Sequence, residues 1–127
     1  MIGNDVFKSA CALLFEGAGE DKYFKNAAVN LINLLIAEVL PTQNCRRRAR
    51  GEEETALFEL QNIEDVITLD LEFKLPLSYG LASYFYQDEK DNFLAQEYRA
   101  RFVVALDELK KIETLDIADE YPNESEE

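Results

Sequence analysis

The stretch DKYFKNAAVNLINLLIAEVL, residues 21 to 40, restricts the fold more than any other part of the chain. Phe24, Ala28, Leu31, Leu35 and Val39 recur every three or four residues, the period of a helix that buries one stripe. Leu34, Ile36 and Leu40 widen the stripe, and only Lys25, Asn26, Asn30, Asn33 and Glu38 interrupt it. A helix apolar around most of its girth is covered on more than one side. Either it is the central helix of the monomer, or part of it meets another subunit. Asp21 is placed to cap its start. Pro41 is placed to end it, because the residue before a proline is pushed out of helical geometry.

Such a helix needs partners, and the flanking sequence predicts them as helices. In NDVFKSACALLFEGAGED, Asn4 or Asp5 serves as a cap. Val6 or Phe7, Ala10, Leu13 and Leu14 form a buried face, and Gly17 and Gly19 stop the helix. A third helix begins near Pro76, a residue suited to a first turn, and carries Leu77, Leu81, Tyr84 and Phe85 on one face. Gly80 in its middle costs ~1 kcal/mol relative to alanine. A close approach by a neighbouring helix, with Ala82 beside it, accounts for that cost. QDEKDN is a polar turn in which Asp91 or Asn92 caps a fourth helix over about 93 to 111. Leu94, Tyr98, Phe102, Ala105, Leu109 and Ile112 face inward, while Glu97 with Arg101 and Asp107 with Lys111 pair four apart on the outside. Two long helices joined by a short polar turn make an antiparallel hairpin. The rings of this region are therefore helix-packing residues rather than the wall of a ligand pocket.

Residues 55 to 74 are partly alternating and give a connector lying on the bundle. Leu57, Leu60, Ile63, Val66 and Ile67 are its expected anchors, and NIED is a turn. The predicted fold is all-α: a small bundle of about four helices with a long C-terminal αα-hairpin and an irregular connector between helices 2 and 3.

Charge narrows the function. The 127 residues make one domain by length, with a net charge of −13. Glu113, Asp116, Asp119, Glu120, Glu124, Glu126 and Glu127 follow Lys111 with no Lys or Arg to balance them. Residues 1–112 are accordingly the helical domain, and 113–127 are an acidic tail expected to lack order. An acidic body argues against gripping nucleic acid through its phosphates, although it permits a protein that lies beside DNA. CRRRARGEEE sets Arg46, Arg47, Arg48 and Arg50 against Glu52, Glu53 and Glu54. It reads as a docking patch for an acidic partner or phosphates, or as a solvated loop of balanced charge. The absence of interleaved aromatics and the adjoining acids favour the solvated loop over DNA binding.

Residues that carry chemistry are scarce. There is no histidine, the usual general base and commonest metal ligand. No glycine-rich phosphate loop occurs, since GLAS and GAG lack the spacing. Glu64 with Asp65, and Asp88 with Glu89 and Asp91, read as capping and solubilising groups; a calcium loop would need a glycine turn and a terminal bidentate acid. Cys11 and Cys45 have neither a disulfide framework nor metal-ligand spacing, and Cys11 reads as a small buried apolar residue. The expectation is a protein that is not an enzyme and takes no cofactor or metal. No basic segment leads into an apolar one, and no run of ~18 uncharged apolar residues occurs. A soluble protein of intracellular origin, without membrane contact, is expected.

Three stretches in order, AAVNLINLLIAEV, LPLSYGLASYFYQDEKDN and AQEYRARFVVALDEL, resemble the head–tail connector (adaptor) family of long-tailed bacteriophages and prophages. The likeness covers roughly residues 4 to 112 and consists of helix-packing positions rather than a catalytic signature; the arginine run and acidic tail are not matched. It implies a ring of identical subunits beneath the portal that extends the DNA channel. The implied partners are further copies of the chain, the portal protein and a tail-proximal head completion protein, with DNA passing through unbound. The implied place is the virion's head–tail junction, after synthesis in the bacterial cytoplasm. For the portal contact the loop 42–54, with its arginines, and the C-terminal tail are nominated. For lateral contact the second helix and the outer side of the fourth are nominated. The alternative is an acidic helical binding module that imitates DNA or regulates a basic protein through the tail and residues 88 to 91.

Overall fold

The structure, a computed structural model, describes residues 1–14 and 22–120, with side chains described over 1–14 and 24–111. Its helices are α1 (Gly3–Ala12), α2 (Lys22–Ala49), α3 (Lys74–Asp88) and α4 (Asn92–Glu120), with a 3-10 turn (Leu71–Phe73) leading into α3. Among the described residues there is no strand, only an isolated antiparallel bridge between Ile2 and Val66. The all-α bundle with its C-terminal hairpin and irregular connector is the observed architecture. The expected roles of Gly17, Gly19 and Asp21 lie outside the described residues.

Helix α3 is the hub, packed against α1, α2 and α4. Its Phe85 stacks on Phe24 of α2, with ring centroids 4.6 Å apart and planes at 25°, and meets Phe7 of α1 edge-on at 6.2 Å. Tyr86 stacks on Tyr98 of α4 at 5.6 Å and donates its hydroxyl to the Leu13 carbonyl at 2.9 Å. Pairs of this kind add about 0.5–1.5 kcal/mol each beyond the area they bury. Gly80 lies where a Cβ would fall 2.5 Å from Leu35 Cδ2 and 3.2 Å from Phe102 Cδ1. The close approach predicted there is real, and α2 makes it.

The hairpin turn caps both of its helices. Lys90 N–H donates to the Gln87 carbonyl and Asp91 N–H to the Tyr86 carbonyl, at 3.0 and 2.9 Å, which closes α3 in a Schellman motif. This sets Lys90 at φ 62°, a left-handed conformation usually given to glycine. Asp91 then accepts from Leu94 N–H at 3.1 Å and caps α4.

Several helix boundaries depart from the sequence reading. α1 is capped from Ile2, not Asn4 or Asp5. The N–H groups of Gly3 and Asn4 donate to the carbonyls of Asp65 and Ile63, at 3.0 and 2.7 Å, and Asp5 accepts from Ile2 N–H at 2.8 Å. The connector thus supplies acceptors that a side-chain cap would otherwise provide. A Cβ on Gly3 would stand 2.8 Å from the Ile63 oxygen, so that packing needs glycine. α2 does not end at Pro41; it continues to Ala49. Pro41 and Ala37 both face solvent, so the Ala37 carbonyl left without its helical donor is on the wet side. The helix ends where Gly51 at φ 72° lets Gly51 N–H and Glu52 N–H return to the carbonyls of Arg48 and Arg47, at 3.1 and 2.8 Å. α4 runs past Lys111 to Glu120, so the acid-rich residues 113–120 are helical. The side chain of Ile112 and all of 121–127 lie outside those described.

Candidate functional site: the connector strap and the arginine end of α2

Residues 52 to 70 form a strap that runs back along α2, turns, and returns. Asn44 of α2 donates its amide to the Thr55 carbonyl at 3.0 Å and accepts from Thr55 N–H at 2.6 Å. Asn33 does the same for Leu60, at 3.0 and 2.7 Å. The two asparagines are three helical turns apart and share a face, a separation of about 16 Å. Five residues of extended chain cover about the same length. That match of rises puts Thr55 and Leu60 over their clamps. At the far end Asp65 accepts from Gln61 and Asn62 N–H at 2.7 and 3.0 Å, which folds NIED as the expected turn. Gln43, only 1% exposed, joins the two ends of the loop. It donates to Thr55 Oγ1 at 3.4 Å and accepts from Asp70 N–H at 3.3 Å.

Leu60 and Ile67 anchor the strap as expected, with Ile63 half-buried. Leu57 and Val66 do not; both are exposed, and Leu69 and Phe58 take up the packing instead. Val66 gives its backbone to the bridge with Ile2, and Leu57 stands between the two clamps beside inward-turned Phe58.

Of the nominated arginines, Arg46, Arg47 and Arg48 are on the end of α2 and Arg50 is in the turn that follows it, and they have different jobs. Arg46 is 4% exposed. Its Nη1 donates to the Leu109 carbonyl of α4 at 3.1 Å, its Nε lies 3.5 Å from Asp70, and its guanidinium sits over the Phe73 ring at 5.8 Å. It ties α2, the strap's end and α4 together. Arg47 pairs with Glu52 at 3.2 Å and with the Glu53 carbonyl, and Arg50 bridges Glu52 and Asp70 at 2.8 and 2.9 Å. Arg48 binds Glu54 at 2.5 Å, and that hydrogen bond first, then the carboxylate's charge, holds its pKa above the ordinary value. The run is thus engaged by the chain's own carboxylates, as balanced charge would have it.

Of the nominated packing residues, Leu35, Leu77, Leu81, Phe85, Tyr98 and Phe102 are buried. Leu31, Tyr84, Leu94 and Leu109 are half-buried, and Gly80 occupies the crevice between Leu35 and Phe102. Ile32 and Ala95, outside the predicted stripes, are buried, whereas Leu34 is exposed. Both outer pairs of α4 form, Glu97–Arg101 at 2.9 Å and Asp107–Lys111 at 3.1 Å. Arg99 is a bidentate partner of Glu38, with one contact of 3.0 Å, and joins α4 to α2.

Apolar surface remains open at several places among the described residues. One is a groove of about 450 Å³ between the end of α1 and the start of α3, where Leu13 meets exposed Leu71 and Leu75. Leu34 on α2 and Leu57 on the strap are exposed as well. Val103 and Val104 are also exposed on α4. Among the described residues, no three His, Cys, Asp or Glu side chains come together to hold a metal. No described helix is long and apolar enough to cross a membrane. Burial pushes the Cys11 thiol up from its ordinary pKa, which keeps it protonated and a poor nucleophile. In the sequence Asn33 stood only as an interruption of the apolar stripe, and Gln43 and Asn44 were given no role; the signal for the two asparagine clamps was their spacing of eleven, three turns along one helix face. No family model, curated protein or solved structure matches this chain.

Proposed function

We propose that this chain is a structural subunit of a bacteriophage head–tail connector, closing with copies of itself into a ring below the portal and lengthening the DNA channel. The observation that carries the reading is exposed apolar surface on several different elements of an acidic domain. Leu71 and Leu75 flank the groove beside α1, while Leu34 on α2 and Val103 with Val104 on α4 are exposed elsewhere. A ring needs a heterologous contact, in which one patch of a subunit meets a different patch of the next. Exposed apolar surface beyond scattered single residues is the usual material of such contacts. The net charge of −13 suits a lumen that lets DNA slide without adhering. The sequence likeness to connector subunits supplies the identity of the assembly, and the arginines at the end of α2 are engaged by the chain's own carboxylates, which argues against their gripping phosphates. The partners are then the portal and a head completion protein, the place is the virion, and the chain contributes shape rather than chemistry.

Mixing the purified chain with portal rings encoded in the same genome, then imaging the product, tests this. A second ring stacked coaxially on the portal is the expected result. A portal that stays bare, together with a chain that competes with DNA for a basic protein, would instead identify an acidic DNA mimic.

A further inference from the structure

Between its two asparagine clamps the strap is a stretched chain whose outer side is exposed among the described residues. The N–H and C=O groups of residues 56 to 59 have no hydrogen-bond partner among the described residues, while Thr55 and Leu60 are held on α2. Spanning about 16 Å between the clamps takes five residues close to full extension. Leu57 is 64% exposed, and Ala56 and Glu59 are exposed beside it. Proteins usually blunt such an edge with lysine, proline or a covering element. Residues 52 to 60, EEETALFEL, contain neither lysine nor proline.

We propose that residues 55–60 are a docking edge for an extended segment of another protein, which adds to it as a β-strand and carries Lys or Arg alternating with apolar residues. Strand addition draws affinity from main-chain hydrogen bonds and specificity from alternate side chains. The charge of the occupant follows from the local carboxylates. Glu52 and Glu54 are taken by Arg47, Arg50 and Arg48, but Glu53 and Glu59 have no cation beside their carboxylates among the described residues. Leu57 offers the apolar contact between them. A second copy of this chain is the wrong occupant. Its arginine run is engaged within the fold, and its sequence outside the helices is acidic. The inference stands apart from the ring reading, since it requires no contact between copies.

The test titrates an N-acetylated, C-amidated hexapeptide of alternating Val and Lys into the ¹⁵N-labelled full chain. Amide exchange at alternate residues within 56–59, those whose N–H points away from α2, should slow about tenfold at about ten times the Kd, with shifts confined to the strap. The same peptide N-methylated on alternate residues should give no protection. Leu57→Pro should abolish protection without lowering the Tm, because the N–H it removes is unpaired. Glu53→Gln combined with Glu59→Gln should weaken binding several-fold on an intact fold, which keeps the idea testable if the proline variant does not fold. Equal binding of the N-methylated peptide would reduce the effect to charge attraction and overturn the proposal. Unprotected amides at millimolar peptide would overturn it too.

Discussion

Asn33 and Leu60 hold each other twice: the side-chain amide of one donates to the carbonyl of the other at 3.0 Å and its oxygen accepts the N–H at 2.7 Å. A side chain here takes the part of a neighbouring strand, and Asn44 repeats the arrangement on Thr55. Asn33→Ala leaves both backbone groups of buried Leu60 without a partner, at a cost of about 1–3 kcal/mol. Hydrogen exchange should lose protection at Leu60 first. Because both clamps act on one strap, Asn33→Ala and Asn44→Ala should cost less together than the sum of their separate effects. Thermal melts of the three variants measure this coupling.

Gly80 and Leu35 form a second coupled pair. Gly80→Leu overpacks the crossing and should destabilise by about 1–3 kcal/mol. Gly80→Ala must displace Leu35 Cδ2 from 2.5 Å, which opposes the ~1 kcal/mol that alanine gains in helix propensity. In a Leu35→Ala background the severe contact is gone and the Phe102 ring, at 3.2 Å, has room to shift into the space left, so Gly80→Ala should become stabilising. Denaturant melts of the four combinations read the sign directly.

The turn between α3 and α4 offers a stabilising change. Lys90→Gly relieves a left-handed residue that costs roughly 1 kcal/mol in an L-amino acid, and the Tm should rise. An unchanged or lower Tm would show that the lysine side chain compensates for its backbone.

Arg46 and Arg48 should separate cleanly despite lying in one run. Arg46→Met removes the donor to Leu109 from a buried site and should cost about 1.5–3 kcal/mol. Arg48→Gln breaks only an exposed pair and should leave the Tm unchanged.

Cys11 gives a pH signature. Its thiol pKa in the fold is raised above the ordinary 9.0 by burial. The folded state therefore binds this proton more tightly than the unfolded state does. The corresponding stability is fully present below pH 9 and is lost as pH rises through the folded pKa. Stability measured from neutral pH upward should fall less steeply in Cys11→Ala than in the natural chain, and Cys11 should alkylate more slowly than a free thiol at pH 8.

The helices were legible because they rest on periodicity and punctuation that act locally. α3, its hairpin turn and the Asp91 cap follow from residues within a few positions of one another. The end of α2 was misread because Pro41 is a strong local stop, while the anchors that carry the helix past it, Gln43, Asn44 and Arg46, hold residues 11 to 63 positions away. Gly51 after a basic turn was the true terminator, and its pattern was present in the sequence. The α1 cap was hidden for the same reason as the strap: its acceptors come from Ile63 and Asp65, which no local rule connects to residue 3. Burial of Arg46 and exposure of Arg48 are likewise decided by the approach of α4, not by composition.

The account rests on the exposed leucines being contact surfaces between copies. Mass photometry of the chain mixed with its portal rings tests this most directly, run in parallel with Leu75→Asp. The account predicts one discrete complex whose added mass is a whole multiple of the chain, and its loss in the variant while the monomer stays folded. Portal rings that gain no mass, or a complex that forms equally well with Leu75→Asp and Leu34→Asp, would contradict it.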